Sequence, residues 1–174
     1  MEFGRATAPD TFVLERTLKA PIARVWSYFV DADKRSRWFT GGDTLSANGQ
    51  AFSILFAHRN ITNEKPPARW AQMESGEFPM TGHVLAFDPP RLLAITWGDG
   101  EEHVSEVRFE FTAIGKETHL KLTHTKIDTE VSLRDFAGGW TAHLETLATV
   151  LTGQPANHFW ADVVAAHEAY EMRI

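Results

Sequence analysis

The chain contains no cysteine, which removes disulfide bridges, a thiolate nucleophile and thiolate zinc ligands. An excess of basic charge is missing as well. Seventeen Lys and Arg stand against 23 Asp and Glu, a net charge of −6 over 174 residues. Nucleic-acid binding draws much of its affinity from clustered positive charge, so no nucleic-acid partner is expected. No apolar run approaches the roughly 18 residues of a membrane-spanning helix, and Met1 to Arg5 lack the basic-then-apolar layout of a signal peptide. Cytoplasmic location is therefore the expectation. Internal repeats and low-complexity stretches are also missing.

What is present suits one globular domain with a substantial core: 43% of residues are hydrophobic and 23% charged. The expected division is a loose arm over residues 1–10, a single domain over 11–153 and a helical extension over 154–174. Thr11 to Leu18 reads as a strand with Phe12, Leu14, Arg16 and Leu18 in one phase. Pro21 then opens an amphipathic helix to Val30, and Asp31 or Asp33 caps a second short helix carrying Trp38 and Phe39, ended by Gly41-Gly42. Alternation predicts strands over Gln50–His58, Phe78–Phe87, Leu92–Trp97, His103–Ala113 and Thr118–Lys126. Asn48-Gly49 and Gly98-Asp99-Gly100 mark turns. Asn60 to Gly76, with Pro66-Pro67, shows no clear period.

Near Ser132 the period changes from two to 3.6. Leu133, Phe136, Trp140, Leu144, Leu147 and Leu151 share one arc of a helix, with Ser132 and Asp135 resembling a capping box and Gly153 ending it. A last helix, Asn157 to Glu171, puts Phe159, Val163, Ala166 and Tyr170 on one face. That face must be covered by the domain's own surface or by a second subunit, which would make the last helix a homodimer contact. Strands joined by tight turns, followed by one long apolar helix stripe, argue for an α+β domain: a curved antiparallel sheet around a long helix.

Several stretches carry a family resemblance. They are Leu14 to Pro21 followed by Val25-Trp26 and Trp38-Phe39; Gly82-His83-Val84 with Asp88 to Leu92 and Thr96-Trp97; and Gly139-Trp140 with Leu144, Leu147 and Leu151. In this order they resemble the START-like (SRPBCC) helix-grip superfamily, and within it the family named for the activator of the heat-shock chaperone ATPase. The resemblance implies a seven-part antiparallel sheet gripping the C-terminal helix, with a cavity between them. Many such proteins bind hydrophobic small molecules, and some relatives are cyclases or hydrolases.

The residues themselves offer no catalytic constellation. No H-E-x-x-H motif occurs, no G-x-S-x-G elbow and no phosphate-cradling glycine loop. Neither a metal nor a cofactor is expected. Glu106 and Glu110 alternate with Arg108 on a solvated face, and Glu101-Glu102 follow a turn. Three polar residues instead continue apolar faces: Arg16, His58 and His124. Their bland reading is a satisfied core or surface group. Their functional reading is orientation of a ligand in a cavity walled by Phe52, Ile54, Phe56, Val107, Phe109, Phe111, Leu120, Leu122 and Trp140. Gly138-Gly139, inside the helix, implies close approach of helix to sheet or space for a ligand beside Trp140.

The expected partner is then a small, mostly apolar molecule, with or without an anionic end for Arg16 or a histidine. An enzyme of the cyclase or hydrolase type is the alternative and needs at least two of Arg16, His58 and His124 in one cavity. The third reading is an interaction module that stimulates a chaperone ATPase. It needs an exposed docking face, and the one-domain chain differs from the eukaryotic activator, which carries a separate N-terminal domain.

Overall fold

The computed structural model describes residues 1–98, 100 and 104–174. Eight strands form one antiparallel sheet. In chain order they are β1 (Arg5–Ala8), β2 (Thr11–Leu18), β3 (Gly41–Gly42), β4 (Ala51–Phe56), β5 (Phe78–Asp88), β6 (Leu92–Trp97), β7 (Ser105–Ile114) and β8 (Glu117–Thr125). Their order across the sheet is β1-β2-β8-β7-β6-β5-β4-β3. Among the described residues there are also four α-helices: α1 (Ile22–Val30), α2 (Ala32–Arg35), α3 (Glu130–Leu151) and α4 (Phe159–Glu171). This is an α+β helix-grip fold. No helix among the described residues is long and apolar enough to cross a membrane.

Alternation decides which face of the sheet is wet. Val107, Phe109 and Phe111 of β7 are buried, as are Leu120 and Leu122 of β8. On the other face Glu110 pairs in register with Lys121, and Lys126 reaches Glu106, so opposite charges meet across strands in water. The long helix α3 lies on the apolar face. Leu133, Trp140, Leu144, Leu147 and Leu151 are each at most 3% exposed. At roughly 2 kcal/mol per large side chain buried, these five contribute about 10 kcal/mol before the entropy of ordering them. Phe29 of α1 closes one end of this core against Phe109 and Phe111, with ring centroids 5.0 and 4.9 Å away.

Several sequence expectations need correction. Residues 5–8 of the expected loose arm form the edge strand β1, because β2 offers an unpaired ladder that they can complete. The sheet accordingly has eight strands, not seven. α2 ends at Arg35, and Trp38 and Phe39 lie beyond it in turns. Arg35, only 3% exposed, donates to the carbonyls of Phe29, Val30, Thr40, Gly41 and Asp43 and so ties that turn together. Gly41-Gly42 forms β3. His58 leaves the ladder and begins a 3-10 turn, His58–Asn60, and a second 3-10 segment, Ala68–Met73, occupies the aperiodic stretch. α3 is capped by Thr129, whose side-chain oxygen accepts from the Ser132 amide at 3.0 Å. Ser132 thus sits in the first turn rather than at the cap. Asp99 of the expected hairpin, the pair Glu101-Glu102 and His103 lie outside the described residues.

The last helix, α4, packs on α3. Tyr170 is fully buried, its hydroxyl accepting from the Gly4 amide at 2.8 Å and lying 2.9 Å from Thr141 Oγ1 of α3. Phe159, Val163, Ala166 and Tyr170 are all buried within the chain. This face, which the homodimer arrangement would have used, is covered by the chain itself.

Candidate functional site

A pocket of about 430 Å³ opens where β4, β5, β6, α3, α4 and the 3-10 segments converge. Phe56, Phe78 and Trp97 come from the ends of the strands. Phe136, Gly139, Trp140 and His143 come from α3, one turn apart or adjacent. Phe159, Trp160, Val163 and His167 form the α4 wall, and Phe39, His58, Trp70 and Met73 come from the connecting turns. The rings pack edge-on or tilted: Trp97 and Trp140 centroids are 5.2 Å apart, Phe39 and Trp140 5.1 Å, and Phe159 and Trp160 5.0 Å. Aromatic pairs in such arrangements contribute roughly 0.5–1.5 kcal/mol each beyond their buried area. Among the described residues, the lining holds one carboxylate, Asp135, and no Lys or Arg.

Three of the expected wall and polar residues line this pocket: Phe56, His58 and Trp140. The others are elsewhere. Phe52, Ile54, Val107, Phe109, Phe111, Leu120 and Leu122 belong to the buried core of the domain and do not line the pocket. The pocket is therefore displaced to the side, with α4 as its far wall. Arg16 is 5% exposed and absent from the lining. Its Nη1 donates to Glu145 Oε2 of α3 at 2.9 Å and its Nε lies 3.6 Å from Glu2, so its charge is spent on joining β2 to α3 and the N-terminal segment.

His124 is a satisfied core histidine. The Trp140 indole N–H can only donate, so at 3.1 Å it fixes Nδ1 as acceptor. Nε2 then carries the proton, which it gives to Ser105 Oγ at 2.8 Å. Burial pushes its pKa down to about 3. It orients Trp140 from beneath and does not reach the cavity. The convergence required for the enzyme alternative is thus not met by Arg16, His58 and His124.

A residue outside those expectations takes their place. His143, 6% exposed, faces His58 with ring centroids 5.8 Å apart. Its Nδ1 lies 2.8 Å from the Trp38 carbonyl. A carbonyl only accepts, so Nδ1 carries the proton and Nε2 keeps a bare lone pair. Burial, reinforced by His58, pushes the His143 pKa down to about 3, and burial alone pushes His58 to about 4. Both rings are neutral near pH 7. A signal for His143 does exist in the sequence: it lies three residues after Trp140 and four before Leu147, on the same helical stripe.

The two glycines of α3 separate into two roles. A Cβ on Gly138 would meet His167 Cδ2 and Nε2 at 2.5 and 2.6 Å, so its bareness lets α4, not the sheet, approach. A Cβ on Gly139 would meet nothing within 4 Å, and Gly139 lines the pocket. His167 lies 3.6 Å from Asp135, and its pKa is lowered chiefly by burial, against the opposing pull of that carboxylate.

Residues 19–152 match the model of the family described as Activator of Hsp90 ATPase homolog 1-like protein. That match stops before α4. No curated protein matches the chain at a significant level. Among solved structures, a protein of Bordetella parapertussis is similar over 100% of this chain and 91% of its own, with 40% identity and a TM-score of 0.83. CalU16 of Micromonospora echinospora is similar over 97% of this chain and 93% of its own, at 22% identity and a TM-score of 0.67. A protein of Mesorhizobium loti covers 82% of this chain and 96% of its own, at 23% identity and a TM-score of 0.64. The last two show likeness of fold.

Proposed function

The chain belongs to the Activator of Hsp90 ATPase homolog 1-like family, and from that premise we propose that it binds a small, mostly apolar, ring-shaped molecule in the pocket beside Trp140. The observation that carries this reading is the pocket's composition: about 430 Å³ walled by aromatic rings from three strands, two helices and the connecting turns, with the neutral His58 and His143 among its few polar points. Pockets of this kind take affinity from apolar walls and orientation from a few fixed polar groups. The apolar cavity lined by Phe29, Phe52 and Phe109 holds only about 20 Å³, which supports the same choice.

Neither a reaction nor a chaperone partner is assigned. The binding reading is tested by titrating polycyclic aromatic compounds while following tryptophan fluorescence, since Trp70, Trp97, Trp140 and Trp160 all line the pocket. Native mass spectrometry of freshly purified protein is the companion measurement for a molecule carried through purification. Saturable quenching at micromolar concentration is the expected result. If no aromatic compound quenches and nothing co-purifies, the reading is wrong.

A further inference from the structure

We propose that the pocket selects a molecule carrying a hydroxyl on its ring system, a phenol or an enol, over one carrying a carboxylate. This rests on the binding reading above and departs from the anionic end expected for the ligand. The first ground is the fixed tautomer of His143. With its proton committed to the Trp38 carbonyl, its remaining nitrogen accepts and cannot donate.

The second ground is His58. Its Nδ1 is buried with no hydrogen-bond partner. A buried N–H without an acceptor is costlier than a bare acceptor without a donor, so the proton belongs on Nε2. The pair then offers one acceptor and one donor from rings whose centroids are 5.8 Å apart. One hydroxyl oxygen at ordinary hydrogen-bond lengths can serve both, donating to His143 and accepting from His58. An ether or ketone can only accept, and an ionised carboxylate can only accept as well.

Charge points the same way. The titratable groups in the lining are His58, His143, His167 and Asp135. Burial keeps His58 and His143 neutral, and it lowers His167 against the pull of Asp135. The cation that a carboxylate would seek, Arg16, is paired with Glu145 away from the pocket. An incoming carboxylate would lose its hydration and meet Asp135 instead.

The test uses four probes of one shape at pH 7: naphthalene, 2-naphthol, 2-methoxynaphthalene and 2-naphthoate. Fluorescence or calorimetric titration should rank 2-naphthol roughly three- to tenfold tighter than 2-methoxynaphthalene, the yield of one extra neutral hydrogen bond. 2-Naphthoate should be weakest. In the wild-type protein, the ¹⁵N resonance of His143 Nε2 should move with 2-naphthol and stay with the methyl ether, a readout that needs no variant. His143→Leu should erase the preference for the naphthol while naphthalene still binds. Equal affinities, a tighter naphthoate, or an unmoved His143 resonance with naphthol bound would overturn the hydroxyl inference and leave the binding reading standing. Failure of all four probes to bind would overturn both.

Discussion

Gly138 and Gly139 are adjacent, identical and in the same helix, yet alanine should act oppositely at the two positions. Glycine in a helix interior costs roughly 0.5–1 kcal/mol relative to alanine, because the unfolded chain loses more freedom in ordering it. At Gly139 nothing lies within 4 Å of an added Cβ, so Gly139→Ala should stabilise by about that amount. For a chain of this length about 1 kcal/mol corresponds to a melting shift of roughly 2–4 °C. At Gly138 the same methyl would stand 2.5 Å from the ring of His167, which is 8% exposed and packed 5.0 Å from Trp70. The ring must be pushed off its packing on Trp70 and its pairing with Asp135, or α3 and α4 must separate. The cost of such overpacking is about 1–3 kcal/mol and exceeds the helix gain, so Gly138→Ala should lower stability by roughly 1–2 kcal/mol. Chemical unfolding of both variants beside wild type decides the matter. A longer side chain at the open position, Gly139→Leu, should keep the fold and weaken ligand binding at least tenfold by filling the pocket. A destabilised Gly139→Ala, or a Gly138→Ala as stable as wild type, would refute the reasoning about how the two helices pack.

Trp140→Ala should cost about 3–5 kcal/mol, since Trp140 is 3% exposed and its loss also strands His124 Nδ1; a change under about 1 kcal/mol in urea unfolding would contradict this. His58, His124 and His143 have folded pKa values of about 4, 3 and 3 against an ordinary 6.5. Between those values the unfolded state binds more protons. Stability should therefore fall as pH drops below about 6.5, by up to roughly 1.4 kcal/mol per pH unit for each histidine, until the folded pKa values are passed. A urea midpoint unchanged between about pH 7.5 and 5 would refute it. The same neutrality implies that affinity for an uncharged ligand stays flat from about pH 5 to 8, rather than changing near 6.5, as isothermal titration across that range can check. Truncation after Gly153 removes Phe159, Trp160, Val163 and His167 from the pocket wall and should lower both the melting temperature and ligand binding; an unchanged melting temperature would show that α4 does not support the core.

Local periodicity determined much of this protein from its sequence alone. β2 and β6 have the limits their alternation implies, and the stripe through Leu133, Trp140 and Leu147 gives the buried face of α3. Periodicity reports that a side chain faces inward. It does not report what stands opposite, because the opposing group comes from a distant part of the chain. Arg16, His58 and His124 carry the same signal, an inward polar residue among apolar neighbours, and tertiary structure gave them three different surroundings. Arg16 meets Glu145 from α3, His124 is held between Ser105 and Trp140, and His58 leaves its strand to face His143. The position of the pocket was likewise a tertiary decision. Its walls come from strand ends, two helices and an aperiodic stretch whose nearness depends on how α4 docks. That docking is decided by a bare Cβ position at Gly138 and by the Tyr170 hydroxyl reaching Gly4, 166 residues away. No window of local pattern spans such a distance, so only the folded chain could place the site.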